Sequence, residues 1–153
     1  MGFFKGLKNF TKSAMGDSSA MMEQGMWMLE NNQIDAAMNN FSAACLKGEP
    51  EACKMWGIML IDHGTGPIDT LGGLLKLKKA IALGSKQANI KYTEYLNHPS
   101  VIHLFSGKQI DTYRLAVMSN PYQSLDPLEQ GLLDNLVTEI KEDPLDPVSG
   151  YGR

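Results

Sequence analysis

The sequence predicts an all-α fold: a short α-solenoid of antiparallel helix pairs, two repeats and a partial third, with an additional C-terminal helix. Three observations predict it. Small and aromatic residues recur at fixed intervals. Phe41 to Leu77, Ala44 to Ala80, Gly48 to Gly84 and Ala52 to Ala88 are each 36 positions apart, while Ala20 to Ala52 and Gly25 to Gly57 are 32 apart. Glycine and proline stand where helices must stop and restart, as at Gly48 and Pro50. A one-sided apolar run follows Asp126 and Pro127. A period of this size belongs to stacked helix–turn–helix units, which build grooves for other polypeptides and seldom carry chemistry.

Residues 1–16 form a separate amphipathic segment. Phe3, Phe4, Leu7 and Phe10 fall on one helical face, and Lys5, Lys8 and Lys12 lie off it. This pattern suits a short interfacial helix, and it equally suits a cap over the bare end of a solenoid. The segment is too short in apolar length for a signal peptide or a membrane span. Gly6 stands where a myristoylation motif needs Ser or Thr.

Residues 17–97 hold the repeats. In the first unit Gly25, Ala37 and Ala44 let two helices approach closely, and Phe41 fills the space between them. Gly48 supplies a left-handed C-cap and Pro50 blocks continuation. The second unit repeats the scheme with Gly57, Leu77, Ala80 and Gly84. Its inter-helix turn, His63 to Ile68, reads as four residues longer, which accounts for the change from 32 to 36. The third unit shows only its first helix, Ala88 to Leu96.

Residues 98–142 read as a helical extension. Val101–Phe105 and Ile110–Met118 are taken as short helices in preference to the β-hairpin that their Val, Ile, Thr and Tyr content also allows. Asp126 is a good N-cap before Pro127 at the first helical position. Leu128, Leu132, Leu133, Leu136, Val137 and Ile140 then line one face of a helix ending near Glu142. Residues 143–153 read as a disordered tail.

The run Gly25, Ala37, Phe41 and Ala44 resembles the tetratricopeptide repeat signature. The second unit, with Gly57, Gly64-Thr65-Gly66, Asp69, Ala80, Gly84 and Ala88, resembles a Sel1-like repeat, the bacterial cousin of that motif. The resemblance covers residues 18 to 97. It departs at Gln24, where the family has leucine, at Met28 and Leu60, where it has tyrosine, and at Thr93, where it has glycine. It implies a protein-interaction module, an adaptor or scaffold, that holds a peptide or protein partner along its first helices. Carried over residue by residue, the groove is Met22, Met26 and Leu29, then Lys54, Ile58 and Ile61, then Ile90 and Glu94. Trp27, Met59 and Tyr95 form the seam between successive units. Two other classes remain open. One is a toxin-neutralising immunity or inhibitor protein. The other is a peripheral membrane-associated effector held by residues 1–12.

The formal net charge of −3 gives no bulk attraction to nucleic acid. Ten methionines serve as core fillers or as an adaptable binding surface. Charge is uneven: Lys76, Lys78, Lys79, Lys86 and Lys91 cluster without an acid among residues 76–91. Residues 126–146 carry seven acids against Lys141. Such runs read first as solvated faces, although the acidic segment would also fit over the basic helix, within one molecule or between copies. Cys45 and Cys53 are expected as free thiols, Cys45 buried, in a reducing, cytoplasmic setting with peripheral membrane contact at most; the alternative, a disulfide between them, requires two helix ends to meet.

No catalytic, metal or cofactor site is expected. Asp62 and His63 are sequence neighbours, and adjacent side chains rarely face each other. His98 and His103 have no partner at metal-ligand spacing, and no hydrolase, zinc-protease or phosphate-loop motif occurs.

Overall fold

Residues in a left-handed backbone end three of the helices, and this sets where the chain turns. The computed structural model describes residues 18–105, 109–120 and 124–142. Within them α1 (Ser18–Glu30) pairs with α2 (Ile34–Leu46), α3 (Pro50–Asp62) pairs with α4 (Pro67–Ala82), and α5 (Lys86–Asn97) packs on α4. A short α6 (Pro99–Ile102), α7 (Gln109–Met118) and α8 (Pro127–Lys141) complete the chain. Among the described residues all regular structure is helical, so the 101–118 region forms helices and no hairpin.

Gly48 and Gly84 adopt φ of +91° and +108°. Past them the amides of Glu49 and Ser85 return to the carbonyls of Ala44 and Ala80, at 3.2 and 2.9 Å. This is the same glycine-based stop on α2 and α4. Asn32, at φ +60°, does the equivalent for α1. At the far end Asp126 caps α8, its carboxylate accepting from the Glu129 amide at 2.8 Å, with Pro127 in the first turn.

The core is built around α4, whose Leu71, Leu74, Leu75 and Leu77 are fully buried with Phe41, Trp56, Leu133 and Leu136. Two contacts between helices require glycine. A Cβ on Gly25 would stand 2.7 Å from the Phe41 ring. A Cβ on Gly57 would stand 2.6 Å from the Gly73 carbonyl oxygen, and one on Gly73 would stand 2.6 Å from that of Gly57. The crossing of α3 and α4 is therefore backbone against backbone. Ala37, Ala44, Ala52, Ala80 and Ala88 are all buried, as small residues at crossings must be.

Four expectations change. The longer second unit does not come from a six-residue turn. Helix α4 has 16 residues where α2 has 13, and the connection grows only from 31–33 to 63–66. Pro67 and Ile68 belong to the helix because Pro fits its first turn. Leu128, expected on the inner face of α8, is 47% exposed, and Glu129 is buried in its place. Cys45 and Cys53 are joined in a disulfide, with their Cα atoms 4.6 Å apart, linking the end of α2 to the start of α3. The helix ends meet because the Gly48 turn brings them together, and the free thiols that pointed to a reducing compartment are absent. The acidic segment is not simply solvated: within one molecule α8 lies against α4.

The segment with Phe3, Phe4, Leu7 and Phe10 lies outside the described residues, as does the 143–153 tail. Among the described residues, no helix is long and apolar enough to cross a membrane.

Candidate protein-binding faces

Two regions carry unusual chemistry: the contact between α3 and α5, and the contact between α4 and α8.

On the first, α3 and α5 are tied together at three levels. The Ser85 hydroxyl donates to Glu51 Oε1 at 2.7 Å, Lys54 Nζ to Gln87 Oε1 at 2.9 Å, and the Tyr95 hydroxyl to Asp62 Oδ1 at 2.9 Å. The partners ascend together along both helices, so α3 and α5 run side by side in the same direction. Lys54 and Ser85 hold the Glu51 carboxyl below its usual range, the Lys54 hydrogen bond most strongly, against an opposing effect of burial. Burial, and then the Asp62 carboxylate, push the Tyr95 phenol upward.

The groove residues fall on these helices as follows. Met22, Met26, Leu29, Ile58 and Ile61 are half-buried, packed on the core with an edge left open. Met22, Met26 and Leu29 each precede Lys54, Ile58 and Ile61 by 32 positions, and Ile58 precedes Ile90 by 32. Ile90 is 60% exposed. The two charges are already engaged locally: Lys54 pairs with Glu51 at 2.8 Å, and Glu94 with Lys91 at 3.4 Å. In the expected seam Met59 is buried and Tyr95 half-buried against the core, whereas Trp27 remains half-buried on α1.

The second surface was legible only in part. Lys76, in the run Leu74-Leu75-Lys76-Leu77, is 2% exposed and pairs with Glu129 of α8, itself 1% exposed. Its ammonium sits 4.4 Å from the ring centre of Trp56 on α3. Lys79, also buried, reaches Glu129 at 3.5 Å and Asp126 at 3.7 Å. Lys78 meets Glu139 at 2.6 Å and lies over Tyr92 of α5, whose hydroxyl donates to the same carboxylate at 2.5 Å. Burial holds Lys76 below the usual lysine range, and Glu129 opposes this only in part. One signal for Glu129 was available: it precedes Leu133 by four and Leu136 by seven, on their helical face.

Elsewhere the chemistry is local. The Gly64–Gly66 turn is held by its own acid, with the Thr65 amide donating to Asp69 Oδ2 at 3.0 Å. The His63 amide closes α3 against the Met59 carbonyl, and the imidazole is exposed. His98 Nδ1 accepts from the Ser100 amide at 3.2 Å as the cap of α6. Among the described residues no group of His, Cys, Asp and Glu is placed to hold a metal ion. Comparison with family models, with curated proteins and with solved structures finds no match for this chain.

Proposed function

We propose that the chain is a short solenoid of Sel1-like, tetratricopeptide-type repeats that binds another polypeptide along α1, α3 and α5, and that it acts by binding and not by catalysis. The observation that carries this is the parallel, side-by-side placement of α3 and α5. It leaves Ile58, Ile61 and Ile90 along adjacent helices with partly or largely open side chains. Such a strip matches an amphipathic segment whose apolar side chains recur at helical spacing. The half-buried methionines of α1 extend it with side chains that repack readily.

The test uses photo-cross-linking amino acids at positions 58 and 90 of the chain expressed in its native host. Both positions should capture the same polypeptide, and position 128, on α8, should not. Met26→Glu combined with Ile58→Glu should remove the adduct while helix content by circular dichroism stays constant. Undiminished capture by the folded double variant would place the binding face elsewhere.

A further inference from the structure

Helices are stabilised by acids near their first turn and cations near their last, because each complements the macrodipole there. Helices α3 and α5 carry charges set the other way. Lys86 is the first residue of α5, which has no acid in its first turn and no cation in its last, and Glu94 opens that last turn. Asp62 is the last residue of α3, whose last turn also lacks a cation, and Lys54 stands one turn from its start. The Lys54–Gln87 and Asp62–Tyr95 hydrogen bonds set the two helices level. Lys54 and Lys86 therefore share one end of the face, and Asp62 and Glu94 share the other. Ile58 and Ile90 stand midway between the charges of their helices.

Local partners offset only part of this arrangement. Lys86 is exposed and makes no ion pair among the described residues. Glu94 pairs with Lys91 where both side chains are largely exposed, and such surface pairs contribute little. Lys54 pairs with Glu51, and Asp62 accepts from Tyr95. A local rule broken in the same direction on neighbouring helices points to a function. A helix of ordinary charge order, laid parallel to α3 and α5, would bring its leading acids to the lysines and its trailing cations to Asp62 and Glu94. We propose that the polypeptide held on this face is such a helix: acids in its first turn, cations in its last, apolar side chains between, bound parallel to α3 and α5. An acid and a cation eight residues apart, about 12 Å along a helix, match the span from Lys86 to Glu94. This rests on the first-helix face being the binding face, and it adds the partner's charge order and direction.

Two synthetic peptides of one composition serve as probes, each with leucines at helical spacing and a photoreactive first residue. One has glutamates at its start and lysines at its end, and the other has them reversed. The acid-first peptide should bind the full chain about tenfold more tightly at low salt, the scale of two exposed pairs turned from repulsion to attraction. High salt should shrink the difference. Its first residue should attach near Lys54 and Lys86, away from Asp62 and Glu94. The reversed peptide is a poorer helix by itself, so the charges of the protein are inverted as well. Lys86→Glu with Glu94→Lys should abolish or reverse the preference. The same change should raise the melting temperature of the free chain, since both substitutions suit the dipole of α5. A preference that survives this inversion, attachment at the acidic end, or no binding by either peptide would overturn the proposal. So would a doubled mass of the chain alone that the peptide disperses, which would assign the face to a second copy. Met26→Glu with Ile58→Glu judges the face separately. If it abolishes binding of both peptides while charge order has no effect, the face stands and the charge order falls. If binding is undiminished, the face falls too.

Discussion

Helix α4 buries one side against α3 and another against α8, and the two contacts differ in kind. Against α3 it sets Gly73 on Gly57 so closely that neither position has room for a Cβ. Against α8 it sets Lys76 and Lys79 on Glu129, with a Trp56 ring beneath the first ammonium. Where the glycines cross, the α3 contact is specified by volume. The α8 contact is specified by charge, within an apolar frame of Leu133, Leu136 and Val137. One helix thus uses shape to hold α3 and counter-charge to hold α8. Different changes should break each.

The largest effect is expected at the charged contact. Glu129→Ala leaves two buried lysines facing only the half-exposed Asp126. The loss should be about 3–5 kcal/mol, the range for breaking a buried pair from one side, read as a lower denaturation midpoint in urea. Replacing the pair together, Lys76→Met with Glu129→Leu, should recover part of that loss, because the Lys76 charge is removed with its partner while Lys79 keeps only Asp126. A double variant no better than Glu129→Ala would show that packing, and not charge, governs α8.

Next comes the dry contact. Gly57→Leu must move the α4 backbone, since the obstacle at 2.6 Å is the Gly73 carbonyl oxygen and not a flexible side chain. A cost of about 3 kcal/mol is expected, at the upper end for overpacking. Because the obstacle is steric, this loss should be independent of salt concentration.

Removing the disulfide sharpens the contrast from a third side. It closes a loop of sequence separation 8 between α2 and α3. Cleavage should lower stability by about 2–3 kcal/mol through the added freedom of the unfolded chain. Thermal melts with and without reductant measure it. An unchanged melting temperature, with thiols shown to be free by mass, would mean that the Gly48 turn alone fixes the α2–α3 joint.

The smallest effect has the opposite sign. Gly131 lies mid-α8, exposed, with open space where a Cβ would go. Gly131→Ala should therefore stabilise by about 0.5–1 kcal/mol through helix propensity. A glycine in a helix is costly unless a close neighbour requires it, and Gly57 and Gly131 are the two cases in one molecule.

Local chemistry made much of the fold legible. Gly48 and Gly84 stop their helices because left-handed backbone suits glycine, and Asp126 with Pro127 starts α8 for equally local reasons. The buried alanines and Phe41 followed from the repeat spacing. That the residues proposed for the groove lie on helices was likewise readable from helical periodicity.

What only the tertiary structure decided was which distant groups meet. Gly57 called for a close neighbour, but its neighbour, Gly73, depends on the crossing point of two helices. Helix α8 offered an apolar stripe of six residues, and the choice to expose Leu128 and bury Glu129 was made by Lys76, 53 positions away. Cys45 and Cys53 pair because a left-handed turn places two helix ends 4.6 Å apart, a distance that sequence separation does not encode. Capping, helix stops and periodicity act within a turn or two of the backbone, so the sequence by itself determined them. Counter-charge and close approach act through space, and their outcome waited on the packing of the helices.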